Sequence, residues 1–170
     1  LLLVLFGRRL AEPKAGWLAA TMCGASFFVT LLVFLDMVSK SAEERSHVVR
    51  VFSWIPVGSL QVDLAFLADQ LSITMALFVT GIGTLIHLYA IGYMHGDPKF
   101  SKFFIYLNLF VFSMLMLVLG ENLLVTFLGW EGVGTCSYFL ISFWHTRDSA
   151  ATAGKKAFVT NRVGDWGFMM

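Results

Sequence analysis

Charge is scarce in this sequence. Charged residues make up 14% of its 170 positions, where soluble globular domains carry about 25%. What charge there is balances: twelve Lys and Arg stand against eleven Asp and Glu, a formal net charge of +1. That excludes the basic, phosphate-binding surface on which nucleic-acid affinity depends, so no nucleic-acid partner is expected. Cysteine is scarcer still. Cys23 and Cys136 lie far apart, each in an apolar stretch, which excludes a disulfide framework, haem attachment, Cys-ligated iron–sulfur clusters and zinc ribbons. No nucleophile–base pair or phosphate-binding glycine loop occurs in a supporting context, so a soluble enzyme is poorly supported. The apolar run Leu1–Phe6 lacks a basic n-region and a small-residue cleavage site, and so does not read as a signal peptide.

Apolar residues are abundant, at 58% with a mean hydropathy of +0.77. The composition predicts an all-α polytopic membrane protein. A spanning helix needs about 20 apolar residues, and the pattern gives five to six such helices: a tail over 1–6, then 16–38, 64–94, 102–119, 122–144 and a sixth from 150 that runs to residue 170. The apolar runs at both ends are shorter than a span, so the sequence reads as a piece of a longer chain. Between helices two and three, Ser59–Leu64 alternates polar and apolar residues after Val51–Ile55, across Pro56-Val57-Gly58. This predicts a β-hairpin over about 49–64, outside the hydrocarbon because open sheet edges are not tolerated in lipid. Arg8, Arg9, Lys14, Lys99, Lys102, Arg147, Lys155 and Lys156 fall on one side of the alternating loops; only Lys40, Arg45 and Arg50 fall on the other. The positive-inside rule places the first set in the cytoplasm or matrix, with the hairpin and the turn at Glu121 opposite.

Ionisable side chains inside spanning helices are costly and mark partners, water paths or proton relays. Glu131 stands near the middle of segment five. Thr135, Tyr138 and Ser142 follow at i+4, i+7 and i+11 on one stripe, about 16 Å long at 1.5 Å per residue. The pattern suits a protonatable carboxylate with a hydroxyl ladder to one aqueous face, or a structural Glu paired with a cation on another helix. An opposite charge nearby would tune it in either case. Asp69 and His87 lie about five turns apart on one face of segment three, some 27 Å along the axis, with Ser72, Ala76, Thr80 and Gly83 between them. That stripe fits tight helix packing with polar ends, or a proton path that ends on a histidine. In segment six Arg162 and Asp165 are spaced i,i+3 for pairing, and Lys155 and Lys156 stand near its cytoplasmic end.

The runs Gly129-Trp130-Glu131-Gly132-Val133-Gly134 with Cys136-Ser137-Tyr138, Thr80–Tyr89 with Gly92-Tyr93-Met94, and Lys156-Ala157-Phe158-Val159 with Arg162-Val163-Gly164-Asp165 resemble the antiporter-like subunits of respiratory complex I. They are most similar to the largest of these, of the chain L or chain 5 type. The resemblance covers about residues 50–170. It implies a subunit of about fourteen or more helices built on inverted repeats with discontinuous helices, of which this chain is the N-terminal portion. It implies proton translocation through Glu131, Arg162, Asp165 and Lys156, with the lysine partner of Glu131 beyond Met170; His87, Asp69, Thr135 and Tyr138 are the further candidates that the residue pattern offers. Lys156 matches the family's lysine before Ala-Phe, whereas the helical wheel puts Lys155 within about 20° of Arg162. No redox centre is expected on this chain; flavin, iron–sulfur clusters and quinone are implied on other subunits. The implied partners are the other membrane-arm subunits, the lipid bilayer and protons. The Ala- and Gly-rich composition leans to a bacterial plasma membrane over a mitochondrial inner membrane. A subunit of a multisubunit cation/proton antiporter and a structural scaffold subunit are the alternatives.

Overall fold

The computed structural model describes residues 2–6, 12–58 and 60–170. Its elements are α1 (Leu2–Phe6), α2 (Lys14–Ser39), a 3-10 turn (Ala42–Glu44), β1 (His47–Val57), β2 (Leu60–Ala68), α3 (Gln70–Tyr93), α4 (Phe100–Leu119), α5 (Leu123–Ile141) and α6 (Asp148–Met169). Among the described residues, α2, α3, α4 and α5 are long and apolar enough to cross a membrane. α2, at 26 residues, is about 39 Å long, more than the hydrocarbon thickness. α6 is helical as the pattern predicts, but Asp148, Lys155, Lys156, Arg162 and Asp165 keep it out of that apolar set. Most of the polar turn at 7–14, with Arg8 and Arg9, lies outside the described residues, as does Ser59.

The hairpin is longer than its sequence pattern predicts. β1 and β2 pair antiparallel from His47↔Ala68 to Val57↔Leu60, with irregularities between Arg50 and Phe52 and between Ser53 and Ile55. Pro56 lies within β1, opposite Gln61, rather than in the turn. The turn falls at Gly58, whose φ of +57° is a left-handed conformation glycine adopts without a Cβ penalty. Arg50 Nε meets Asp63 Oδ2 across the strands at 2.7 Å. Because the ladder continues to Ala68, the third helix begins at Gln70 and not at 64. A capping box sets that boundary: Asp69 accepts from the Ser72 N–H at 2.7 Å while Ser72 Oγ accepts from the Asp69 N–H at 2.8 Å. Two orphan amides at the helix start are thereby satisfied.

The hairpin and the turn at Glu121 lie at the same end of the bundle. The Glu121 N–H donates to Ala65 O at 3.1 Å, and Asn122 Nδ2 donates to Asp63 O at 2.9 Å. The main apolar cluster lies at the opposite end, where Ala15, Ala19, Ala90, Met94, Phe100, Phe104 and Phe143 interlock. Small residues bring the helices close: Gly83 on α3 packs against Cys23 of α2 and Val111 of α4. Large apolar side chains such as Phe28, Leu32, Phe78, Leu85 and Phe112 remain exposed. An apolar outer surface of this kind is what a lipid or helix environment covers.

Candidate functional site

α5 is the element on which the site is built, and its glycines set its distance to both neighbours. A Cβ at Gly129 would lie 2.6 Å from Leu117 Cα on α4, and one at Gly134 would collide with the Asn161 amide on α6. Close approach of this kind is how membrane helices pack. α6 runs antiparallel along the polar stripe of α5. Glu131 lies opposite Arg162, the Tyr138 ring packs on Phe158 at 5.7 Å between centroids, and Gly154 sits against Ser142 and Tyr138. The stripe of Glu131, Tyr138 and Ser142 therefore lies along the interface with α6.

At the centre of that interface four side chains form a chain of contacts that crosses between the two helices twice. Arg162 Nη1 donates to Glu131 Oε2. Arg162 Nε lies 2.9 Å from Asp165 Oδ2, the i,i+3 pair expected from spacing. Asp165 Oδ1 accepts from Trp130 Nε1 at 2.9 Å, and Trp130 adjoins Glu131 on α5. The guanidinium also rests on the Phe158 ring, 4.8 Å from its centroid. The side chains of Arg162, Glu131 and Asp165 are 35%, 26% and 11% exposed. One cation thus serves two carboxylates on different helices, which suits a charge that can be shared unequally between them. Nη2 of Arg162 is buried without a hydrogen-bond partner among the described residues, so the guanidinium keeps a donor in reserve.

The remaining candidates fall into separate places. Thr135 is half-buried on α5. Ser142 Oγ donates to the Tyr138 carbonyl at 2.6 Å, so it serves its own helix. Lys155 and Lys156 are both exposed, and neither pairs with a described carboxylate. Asp69 caps α3. His87 is fully buried, with Nδ1 2.7 Å from Gly83 O and its ring facing Phe104. The stripe of Ser72, Ala76, Thr80, Gly83 and His87 is the buried face of α3, and no hydrogen bond or ion pair joins Asp69 or His87 to the Glu131 cluster. Sequence reading did not single out Trp130 as a site residue. The available signal was chemical: a half-buried indole N–H needs an acceptor, and Asp165 is the acceptor that α6 brings to it. Cys23 and Cys136 are free and buried.

Two family models match the chain. Residues 54–104 match the model described as NADH-ubiquinone oxidoreductase (complex I), chain 5 N-terminus. Residues 120–170 match NADH:quinone oxidoreductase/Mrp antiporter, TM. The second match includes Trp130, Glu131, Arg162 and Asp165. NADH-quinone oxidoreductase subunit L of Mycobacterium tuberculosis (strain CDC 1551 / Oshkosh) is 48% identical over 165 residues, which is 97% of this chain and 26% of that protein. Subunit L of Escherichia coli (strain K12) is 42% identical over 164 residues, 96% of this chain and 26% of that protein. NADH-ubiquinone oxidoreductase chain 5 of Allomyces macrogynus is 52% identical over 117 residues, 69% of this chain and 18% of that protein. The chain thus spans about a quarter or less of the length of these relatives. The solved structure of the Mrp complex from Dietzia sp. DQ12-45-1b superposes with a TM-score of 0.60 at 29% identity, over 75% of this chain and 13% of that one. The apolar helices and these matches make this a multi-pass membrane protein, and the chain belongs to the antiporter-like membrane subunit family of NADH:quinone oxidoreductase, of the subunit L or chain 5 type.

Proposed function

We propose that this chain is part of a proton-translocating subunit of respiratory complex I, in which Glu131 carries the proton and Arg162 controls it. The observation that supports this reading is the run of contacts Trp130–Asp165–Arg162–Glu131 across α5 and α6. An opposite charge close to a carboxylate favours its ionised form, and burial opposes it. Arg162 pairs with Glu131 and lies 2.9 Å from Asp165, so one cation stands between the proton carrier and a second carboxylate. Movement of Arg162 towards Asp165, whose other oxygen Trp130 holds, would free Glu131 for proton exchange. Thr135, Tyr138 and Ser142 mark the side of α5 along which water would connect Glu131 with the basic face. Lys155 and Lys156, exposed on α6, place positive charge at that end.

The electron transfer that drives this switch belongs to other subunits, which carry flavin, iron–sulfur clusters and quinone. The partners are the neighbouring membrane-arm subunits, other antiporter-like subunits above all, and the membrane is a bacterial plasma membrane. A cation/proton antiporter subunit is the second reading, supported by the likeness to the Mrp complex. Native-gel separation of mildly solubilised membranes, with staining for NADH oxidation and peptide mapping, separates the two. Comigration of this chain with a large NADH-oxidising band supports the complex I reading. Recovery in a band that lacks flavin and iron–sulfur proteins would replace it with the antiporter.

A further inference from the structure

We propose that the cleft between the start of α4 and the end of α5 binds the phosphodiester of an anionic phospholipid, with Lys99 and Lys102 as its cationic contacts. The cleft has a volume of about 170 Å³, and Lys99, Lys102, Tyr106, Tyr138, Ser142 and His145 supply its polar lining. No carboxylate lines it. Neither lysine forms an ion pair with a described acidic residue. Lys102 instead lies 5.6 Å from the centroid of the Tyr106 ring. The nearest acids are already engaged. Asp97 accepts from the Lys99 N–H at 2.7 Å and from Trp144 Nε1 at 3.1 Å, while Glu12 binds His95 and the Gly96 N–H. Glu12 and Asp97 border the neighbouring cleft on the other side of the same two lysines, so the α5 side is where the ammonium groups face a polar cleft with no carboxylate among the described residues.

The surroundings select a lipid over a soluble anion. Lys99 is the N-cap of α4, a helix of 20 residues with no acid in its first turn, so the positive end of the helix dipole adds to the two side chains. Lys102, Tyr106, Leu109 and Phe112 follow at helical spacing on α4. Leu109 is 43% and Phe112 59% exposed, and the Tyr106 ring stacks on Phe139 at 4.9 Å between centroids. A headgroup held at the lysines would leave its acyl chains along this apolar stripe. Basic pockets between membrane helices on the cytoplasmic side are known to take anionic headgroups, and this end of the chain is the one that sequence reading assigns to the positive-inside face. Tyr138 and Ser142 line the same cleft, so the bound phosphate would sit at the outer end of the hydroxyl stripe that leads from Glu131.

The test uses the full-length chain in its native complex, solubilised and delipidated. Photoactivatable phosphatidylglycerol and phosphatidylcholine carrying the same labelled chain are added, and crosslinked peptides are mapped. Phosphatidylglycerol is expected to label residues 103–112 well above phosphatidylcholine. K99Q/K102Q should weaken that labelling about 25-fold, at roughly fivefold for each charge removed. K99R/K102R should retain it, and so should K40Q, whose lysine pairs with Asp36 at the other end of α2. Undiminished labelling in K99Q/K102Q, or equal labelling by the zwitterionic lipid, overturns the proposal. Displacement by inorganic phosphate at matched concentration overturns the lipid assignment in favour of a soluble phosphate. None of these readouts depends on proton pumping.

Discussion

Removal of the Arg162 charge should destabilise this bundle more than removal of either carboxylate it serves. In the cluster, two carboxylates and one guanidinium leave one formal negative charge. Arg162→Gln leaves two negative charges facing each other across α5 and α6, with Trp130 holding only one of them. Glu131→Gln leaves the Arg162–Asp165 pair intact and formally neutral, and the amide oxygen can still accept from Nη1. Deleting one partner of a fully buried ion pair costs about 3–5 kcal/mol. Here the side chains are 35%, 26% and 11% exposed, so burial is incomplete and the lower end of that range, about 3 kcal/mol, applies. Loss of one hydrogen bond with a neutral replacement costs about 1 kcal/mol. The expected order of stability is thus Glu131→Gln above Arg162→Gln, with a gap of about 2 kcal/mol. The double variant E131Q/R162Q should recover part of the loss, since it restores a single negative charge that Trp130 can satisfy. Equilibrium unfolding of the full-length chain in mixed micelles measures all three. An Arg162→Gln variant no less stable than Glu131→Gln, or a double variant worse than either single change by their sum, would refute the shared-cation account.

Three further expectations concern individual contacts. Trp130→Phe keeps the ring but removes the donor to Asp165, and a hydrogen bond to a charged acceptor is worth about 1.5–3 kcal/mol. Coupled turnover should fall while assembly on native gels persists, and unchanged turnover would remove Trp130 from the site. Asp69→Ala breaks the capping box of α3 and should cost about 1 kcal/mol in unfolding; a loss of transport at unchanged stability would instead give Asp69 a functional role. His87→Phe removes the Nδ1 contact to Gly83 O, worth about 1 kcal/mol, and relieves the buried Nε2, unpartnered among the described residues, a gain of similar size. His87→Phe should therefore change stability by less than about 1 kcal/mol and leave pumping intact; a pumping defect would return His87 to the proton path.

The parts of the fold legible in the sequence were those governed by local pattern. The apolar runs give α2, α3, α4 and α5 because length and hydropathy suffice to mark a span. The period-two alternation gives the hairpin, and the i,i+3 spacing gives the Arg162–Asp165 pair. The start of α3 was misplaced because Leu64–Ala68 is apolar enough to read as helix, and only its ladder to His47–Phe52 makes it strand. The direct contact between Arg162 and Glu131 was not legible: spacing pairs Arg162 with Asp165 and leaves its reach to α5 open, and α6 folds back so that Arg162 also meets Glu131. That contact depends on the packing of Gly134 against Asn161, a tertiary relation that no spacing along one helix encodes. The stripe from Asp69 to His87 forms the buried face of α3 with Asp69 as its cap, an arrangement whose helical period was legible and whose packing partners were not.

Glu131 as the proton carrier is the central claim, and the ratio of protons moved to electrons transferred tests it most directly. The complex bearing Glu131→Gln would be reconstituted into liposomes, with NADH oxidation and lumenal pH followed together against the unmodified complex. A proton-to-electron ratio lowered in the variant, with the complex still assembled, is the predicted result. An unchanged ratio at full turnover would contradict the account and reduce the cluster to a structural joint between α5 and α6.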